Sequence, residues 1–170
     1  EGESGNGLHI NISPVSERGA DIYSQFMAGI LEHIREITVF LNPVAESYRR
    51  FGSHRAPKYV TWSNENRSQL IRIPASRGGD KRIELRSPDP AADPYIACAL
   101  LIYAGLDGVE RGLVPPELVD VNLYKASHEL LGTLERLPDS LAEAAKIASE
   151  SEFVKRVLPK RLAEIYTGKI

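Results

Sequence analysis

The chain has 170 residues, of which 42% are hydrophobic, and this suits one globular domain or a large part of one. Its 21 basic and 23 acidic residues give a net charge of -2, which excludes a general nucleic-acid binder and leaves only local basic clusters. The single cysteine, Cys98, excludes an internal disulfide and a cysteine zinc site, and its apolar surroundings predict a buried, inert thiol.

Targeting signals are not visible in the sequence. The longest apolar run, residues 95–106, is shorter than the roughly 20 residues that span a bilayer, so no membrane segment is expected. A cytoplasmic location is the default for a chain with so little cysteine. Because the chain starts with Glu1 rather than Met, inside a glycine-containing motif, we expect an excised or partial sequence.

The first predicted element is a strand over residues 8–12. Apolar residues alternate there with His9 and Asn11, a period typical of a half-buried strand. The preceding Ser4-Gly5-Asn6-Gly7 loop can present backbone amides to an anion, but it matches neither a Walker A loop nor a dinucleotide fingerprint. A lone histidine is more often structural than a ligand, so His9 alone does not define a site.

A long helix and three further strands follow. Apolar residues at helical spacing predict a helix over 21–41 with Asp21 as its N-cap and Asn42-Pro43 after its end. A shorter helix is expected over about 44–50. Aromatic and β-branched residues predict strands over 59–62, 69–73 and 82–86, the last two forming an antiparallel hairpin.

The second half of the chain is predicted to be mainly helical. Asp93 as N-cap and Pro94 at the first helical position begin a helix that is expected to end at Gly108. Because this helix is apolar on nearly every side, we expect it to be buried in the core. After a linker over 112–116, the rest is expected to be helical and polar, with helices over 140–149, 152–158 and 160–166.

The strand over 82–86 carries the most informative chemistry. Arg82, Glu84 and Arg86 share one face, while the two residues between them face the core. The pattern suits a solvated, salt-bridged strand. It also suits a site in which the carboxylate holds a hard cation and the guanidinium groups bind carboxylate or phosphate. An imidazole such as that of His9 beside this carboxylate is a normal site for magnesium-like or manganese-like metals.

Further arginines lie between the strand of His9 and the strand of Glu84. They are Arg49, Arg50, Arg67 and Arg72. Such a concentration in a chain that is acidic overall suits a multiply charged anion, for example nucleotide phosphates together with a carboxylate. With a metal ion, this set of side chains is typical of phosphoryl transfer.

Several segments resemble, in the same order, the signatures of bacterial glutamine synthetases. They are Gly5-Asn6-Gly7-Leu8-His9, Asn42-Pro43 with Ser47-Tyr48-Arg49-Arg50, Asn66-Arg67-Ser68 with Arg72-Ile73-Pro74, Arg82-Ile83-Glu84-Leu85-Arg86 with Pro88-Asp89-Pro90, and Ala104-Gly105-Leu106-Asp107-Gly108. The resemblance implies an α+β fold with a curved, largely antiparallel sheet and outer helices. It also implies that 1–170 is the C-terminal portion of such a catalytic domain, without the N-terminal domain and the first part of the catalytic domain.

The resemblance implies ATP-dependent ligation of ammonia to glutamate through γ-glutamyl phosphate, with Mg²⁺ or Mn²⁺, in a homo-oligomeric ring. The roles implied by matched motifs are metal ligation by His9 and Glu84, glutamate binding by Arg50, Arg86 and Gly5, stabilisation of the transferred phosphoryl group by Arg67, and nucleotide binding by Arg72, Arg82 and Asn11. Arg67 and Arg72 have opposite parity, so a bend or a strand that starts after Arg67 is needed to bring both to one site.

Departures from the family pattern leave alternatives open. Arg55 stands where the family usually has a glutamate that helps bind ammonium, and an arginine repels ammonium and cannot act as a base. The parent is therefore a glutamine synthetase, a glutamate–amine ligase such as a γ-glutamylpolyamine synthetase, or a non-catalytic family member. Since the family's other metal-binding glutamates lie upstream, the isolated chain is expected to be inactive. Milder departures are Ser4, Asn11 and Asp93.

One tyrosine carries a further expectation from the resemblance. Asn122-Leu123-Tyr124 resembles the segment that bears an adenylylated tyrosine in some relatives. An ordinary packed tyrosine explains Tyr124 as well.

Overall fold

A four-stranded sheet and a long central helix organise the molecule. The computed structural model describes residues 6–17, 21–53, 56–75 and 81–168. The strands are β1 (Ile10–Ile12), β2 (Trp62–Asn64), β3 (Ile71–Ile73) and β4 (Ile83–Leu85), and the helices are α1 (Tyr23–Leu41), α2 (Ala45–Tyr48), α3 (Pro94–Glu110), α4 (His128–Thr133), α5 (Leu141–Glu150), α6 (Glu152–Val157) and α7 (Lys160–Thr167). The α+β fold class is confirmed.

The sheet has the order β1-β4-β3-β2. β4 pairs antiparallel with both β1 and β3, whereas β2 pairs parallel with β3, so the sheet is largely antiparallel as expected. The register places Asn11, Glu84, Arg72 and Ser63 in one row across all four strands. Because residues directly opposite each other point to the same face, this row collects polar side chains from distant parts of the chain.

The predicted alternation of faces is confirmed in β1 and β4. His9 and Asn11 are exposed while their apolar neighbours are partly covered, and the side chains of Ile83 and Leu85 are fully buried in the core. β1, β3 and β4 are shorter than predicted. The strand predicted over 59–62 is misplaced, since β2 runs from Trp62 to Asn64 and the region before it contributes only a bridge between Tyr59 and Arg136.

The long helices α1 and α3 approach each other closely at glycines. A Cβ atom on Gly29 would lie 2.1 Å from the carbonyl oxygen of Ala104, and one on Gly108 would lie 2.2 Å from the carbonyl oxygen of Gln25. The prediction that Gly108 ends α3 is wrong, since the helix continues to Glu110. This glycine is needed where two backbones touch, and it does not serve as a left-handed cap.

The start of α3 was predicted correctly, but its burial was not. Asp93 caps the helix by accepting hydrogen bonds from the amides of Tyr95 and Ile96. One side of α3 packs on α1, and the other side exposes apolar residues, including Tyr95, Ile102 and Leu106. Cys98 lies on the exposed side, so the expectation of a buried thiol is wrong. Because apolar residues occur all around this helix, its sequence has no periodicity that distinguishes the buried side from the exposed side.

The predicted cap of α1 is displaced by one residue. Ile22 occupies the N-cap position without a side-chain hydrogen bond. Asp21 nevertheless accepts a hydrogen bond from the amide of Tyr23 at 3.1 Å, so its carboxylate still satisfies one backbone donor near the helix start.

The segment over 113–127 is not helical, which corrects the prediction for this region. Its backbone is instead fastened to β2 and to the turn before β3. The indole of Trp62 donates to the carbonyl of Pro116 at 2.7 Å, and the side chain of Gln69 donates to the carbonyl of Val121 at 2.9 Å. Two consecutive prolines at the start of the segment disfavour a helix there. Downstream, α5, α6 and α7 lie close to their predicted bounds.

A buried charge cluster joins α1, α3 and α6. The two ring nitrogens of His33 lie 2.8 Å from Asp107 and 3.4 Å from Glu36. Asp107 also pairs with Arg111 at 2.9 Å and with Arg156, and Ser151 donates to Glu36. The imidazole stacks on Phe153 with ring centroids 3.9 Å apart.

This cluster shifts the pKa values of its members in opposite directions. Burial acts to lower the pKa of His33, but hydrogen bonds and charges of Glu36 and Asp107 outweigh burial and raise it above the usual 6.5. Burial acts to raise the pKa of Asp107, but hydrogen bonds from His33, Arg111 and Arg156 lower it from 3.8 to about 2.

The pH dependence of stability follows from these shifts. The contribution of Asp107 is present above its unfolded pKa of 3.8 and is lost as the pH falls towards about 2. The contribution of His33 is present below 6.5 and is lost as the pH rises through its raised folded pKa. We expect urea unfolding midpoints to fall at both ends of the pH range. His33→Gln should remove the decline on the basic side, and an unchanged decline in that variant would contradict the assignment.

No helix in the described parts of the chain is both long enough and apolar enough to cross a membrane.

Candidate active site

Glu84 lies at the centre of the polar face of the sheet. One carboxylate oxygen accepts a hydrogen bond from Arg86 and lies 3.2 Å from Nδ1 of His9, and the other accepts from Arg72 at 2.7 Å. The side chain of Glu84 is 7% exposed and that of Arg86 is 3% exposed. A buried carboxylate needs such partners because its desolvation is otherwise costly. The structure therefore brings together four side chains that the sequence predicted to share a site.

The strands explain why these four side chains meet. Glu84 and Arg72 are directly opposite each other in the antiparallel pair of β3 and β4. Arg86 is two residues beyond Glu84 and therefore on the same face. His9 precedes β1, whose neighbouring residues pair with β4, and the backbone amide of Leu8 continues this pairing with a 3.0 Å hydrogen bond to the carbonyl of Pro88.

His9 is suited to bind a metal. Burial, followed by the charge of Arg86, lowers the pKa of His9 below 6.5, although Glu84 opposes the change. A neutral imidazole keeps the lone pair that a metal ligand needs. Its Nδ1 and the carboxylate oxygen of Glu84 are 3.2 Å apart, close to the spacing of neighbouring ligands around a cation bound at about 2.1 Å.

The described residues offer few side chains that could ligate a metal. Within 6–17, 21–53, 56–75 and 81–168, no group of three or more His, Cys, Asp and Glu side chains could hold a metal ion. His9 and Glu84 fit a Mg²⁺-like cation, which takes one or two protein ligands and completes its shell with water and substrate phosphates.

Arg82 and Asn11, to which the resemblance assigns nucleotide binding, form a second contact on the same face. The guanidinium of Arg82 donates from Nε to the side-chain oxygen of Asn11 at 3.1 Å. Both residues are exposed. Arg72 adds a positive charge on β3 and pairs with Glu84. The Glu84 cluster and the Arg82–Asn11 pair therefore lie on one polar surface.

Arg50 approaches the same site from the end of α2. It contributes to lowering the pKa of His9, and its Nη1 would be 3.6 Å from a Cβ atom on Gly7. Burial lowers the pKa of Arg50 itself, although the nearby carboxylate of Asp89 opposes the change. Arg50 thus lies beside the glycine-containing segment and His9, as the motif resemblance implied.

One expected site residue, Arg67, is not brought into the cluster. Arg67 is exposed in a turn before β3, and no hydrogen bond or ion pair joins it to the cluster within the described part of the chain. The strand does begin after Arg67, at Ile71, as the parity of Arg67 and Arg72 required. Gly5 and Arg55 lie outside the described residues.

Two neighbours of the cluster were not assigned a role from the sequence. The side chain of Asn42, which is fully buried, accepts a hydrogen bond from Arg50 at 3.0 Å, and the carboxylate of Asp89 lies 3.1 Å from Nε of Arg50. The signal available in the sequence was a polar residue directly after an apolar helix and an aspartate within a proline-rich turn.

Tyr124 lies in the 121–124 segment, which is in contact with the turn before β3. Burial lowers the pKa of Arg86, while the charge of Glu84 and, more weakly, that of Tyr124 oppose the change. The hydrogen bonds of Ser68 and Gln69 to the backbone of the 121–123 segment hold this region in place. Modification of Tyr124 remains a prediction.

A buried carboxylate held by two arginines beside a histidine on one sheet face is compatible with an enzyme that binds a metal and multiply charged anions. The family model for the catalytic domain of glutamine synthetase matches residues 1–169. The chain therefore belongs to the glutamine synthetase family.

Individual relatives agree with this assignment. A glutamine synthetase of Staphylococcus aureus (strain MW2) is 41% identical over 173 residues, which cover 92% of this chain and 39% of the relative. A glutamine synthetase of Methanosarcina mazei is 41% identical over 182 residues, covering 97% and 40%. A solved structure of a GmaS/ADP complex matches with a TM-score of 0.81 at 29% identity, covering 97% of this chain and 41% of the GmaS chain. The chain thus spans about two fifths of the length of these relatives.

Proposed function

We propose that this chain supplies part of the active site of a ligase that joins ammonia to glutamate, using ATP and forming γ-glutamyl phosphate. The observation that carries the proposal is the contact of Glu84 with His9, Arg72 and Arg86 on one sheet face. These are the residue types that phosphoryl transfer to a carboxylate requires, and they lie in a chain of the glutamine synthetase family.

The residues of this chain divide the work by position. His9 and Glu84 would hold a divalent metal, which when bound neutralises charge on the nucleotide phosphates. Arg72 and Arg82, with Asn11, face the nucleotide side, while Arg50 and Arg86 bind the carboxylates of glutamate. Arg67, on its exposed turn, neutralises the transferred phosphoryl group. Positioning and charge neutralisation account for most of the catalysis in this type of reaction.

The active protein, in this proposal, is longer than these 170 residues. The resemblance puts the family's other metal-binding glutamates upstream of this segment, and the relatives are more than twice as long as the segment they share with this chain. The missing ligands come from the preceding part of the catalytic domain, and a homo-oligomer closes the site. Activity is therefore measured on the full-length protein that carries this sequence.

A second candidate function is a glutamate–amine ligase of the same family. Arg55 favours it, because a cation at the ammonium position repels ammonium. The GmaS structures resemble this chain as well, so structural likeness does not point to glutamine synthetases alone. A non-catalytic family member is disfavoured, since the positions that match the family's metal-binding and phosphoryl-binding motifs still carry His9, Arg67, Glu84 and Arg86.

The nucleophile decides between these functions. We expect the full-length protein to release ADP from ATP in a glutamate-dependent reaction when ammonium is supplied. Release only with larger amines would make it a glutamate–amine ligase. Release with neither, from an assembled protein, would contradict both. Arg55→Glu should increase the use of ammonium because it replaces a repelling charge with an attracting one, whereas the same change at the exposed Arg161 should have no effect.

A further inference from the structure

The guanidinium of Arg50 contacts four separate acceptors. Its Nη2 donates to the side-chain oxygen of Asn42 and to the carbonyl of Ser87, both at 3.0 Å, and its Nη1 donates to the carbonyl of Asn6 at 3.3 Å. Its Nε lies 3.1 Å from Asp89 as an ion pair that lacks the geometry of a directed hydrogen bond. An arginine has five N–H groups, so most of this guanidinium is committed within the protein.

The two side-chain partners are themselves held firmly. Asn42 is fully buried at the end of α1, and its amide nitrogen donates to the carbonyl of Thr38 at 3.4 Å. Because Arg50 can only donate, the oxygen of Asn42 must face it. The other carboxylate oxygen of Asp89 accepts from the amide of Ala91 at 2.9 Å.

A backbone hydrogen bond also connects the segments that carry Asn42 and Asp89. The amide of Asp89 donates to the carbonyl of Leu41, the residue before Asn42, at 2.9 Å. The end of α1, the turn after β4 and the segment before β1 therefore all meet at one guanidinium. The Nη1 atom of that guanidinium lies beside Gly7, on the side of His9.

We propose that Asn42 and Asp89 are positioning residues that orient Arg50 for the glutamate substrate. They hold the Nε and Nη2 edge of the guanidinium. One N–H of Nη1 donates to Asn6, and the second can present a hydrogen bond beside Gly7 and His9. The role of the substrate rests on the proposed function, but the orientation of Arg50 does not. A fixed arginine binds a carboxylate better than a free one, because its side-chain entropy has already been lost on folding.

Kinetics of the full-length protein test the substrate part of this proposal. Asp89→Asn keeps the shape of the side chain and removes its charge. We expect the KM for glutamate to rise about tenfold or more, with little change in the KM for ATP or in kcat. Asp139→Asn, the same change in an exposed ion pair with Lys58, should leave all three constants unchanged. An unchanged KM for glutamate in an active Asp89→Asn enzyme would overturn the proposal, as would an equal rise in both KM values.

Crystal structures of the same variants test the positioning part without requiring activity. In Asp89→Asn, and in Asn42→Ser as a second variant, we expect the guanidinium of Arg50 to leave its place beside Gly7. If it stays in place in both, the proposal is wrong. Absence of glutamate-dependent turnover in the wild-type protein would instead overturn the proposed function, while the structures would still decide whether Asn42 and Asp89 orient Arg50.

Discussion

Glu84→Gln is expected to reduce kcat/KM of the full-length enzyme by about 10²–10³-fold and to abolish the metal-dependent part of ATP binding. The glutamine side chain has nearly the same shape, but it lacks the charge that a cation needs and that Arg72 and Arg86 neutralise. Leaving two buried or half-buried guanidinium groups without their carboxylate also lowers the free energy of unfolding, by about 3–5 kcal/mol. Steady-state kinetics measures the change in kcat/KM. Calorimetric titration with Mn²⁺ and ATP measures the metal-dependent binding, and urea unfolding measures the free energy of unfolding.

Asp107→Asn is the matched control for this prediction. Asp107 is also a buried carboxylate that contacts one histidine and two arginines, but it lies in the cluster between α1, α3 and α6 and not on the sheet face. We expect this variant to lose stability and to keep its titration with Mn²⁺ and ATP. Unchanged titration in Glu84→Gln, or equal loss in both variants, would remove Glu84 from the metal site.

The second large effect concerns the crossing of α1 and α3. Gly29→Ala and Gly108→Ala each place a Cβ atom about 2 Å from a backbone carbonyl oxygen of the other helix, and a backbone cannot rotate away as a side chain can. Overpacking in a core costs about 1–3 kcal/mol, occasionally more, and contacts this short favour the upper end. Urea unfolding should show midpoints well below that of the wild-type protein.

Two further glycines grade this prediction. A Cβ atom on Gly105 would meet the ring of Phe26 at 2.3 Å, and because a ring can shift, Gly105→Ala should cost less than the two backbone clashes. Gly132, in α4, has no atom within 4 Å of such a Cβ, so Gly132→Ala should be neutral or slightly stabilising. Equal effects at all four positions would show that the helix crossing does not require glycine.

The sequence predicted which polar side chains share a strand face, and it placed α1, α5, α6 and α7 near their observed bounds. Alternation of polar and apolar residues put His9 and Asn11 on one strand face, and Arg82, Glu84 and Arg86 on another. This was possible because residues two apart in a strand share a face. What joined the two strands was the order of motifs, since the register between β1 and β4 depends on contacts across the whole chain.

Long-range contacts account for the predictions that failed. A glycine near the end of an apolar helix looks the same whether it caps the helix, as expected for Gly108, or touches another backbone. Cys98 sits in an apolar run whose exposed side is set by where α1 packs. Asn42 and Asp89 belong to segments that match family motifs, but only the fold shows that both contact Arg50.

The order of the sheet has a consequence for synthesis of the protein. Among the described strands, β1 pairs only with β4. His9 and Glu84, whose side chains contact each other at this pair, are about 75 residues apart in the sequence. That length of chain must be synthesised before the two side chains can meet. At a translation rate of about 5–20 residues per second, β1 leaves the ribosome several seconds before its partner exists. β3 and β4, which are closer in sequence, are expected to pair first, because closing a short loop costs less entropy. Of the four described strands, β1 is then the last to pair within this sheet, since it meets β4 only after β4 emerges.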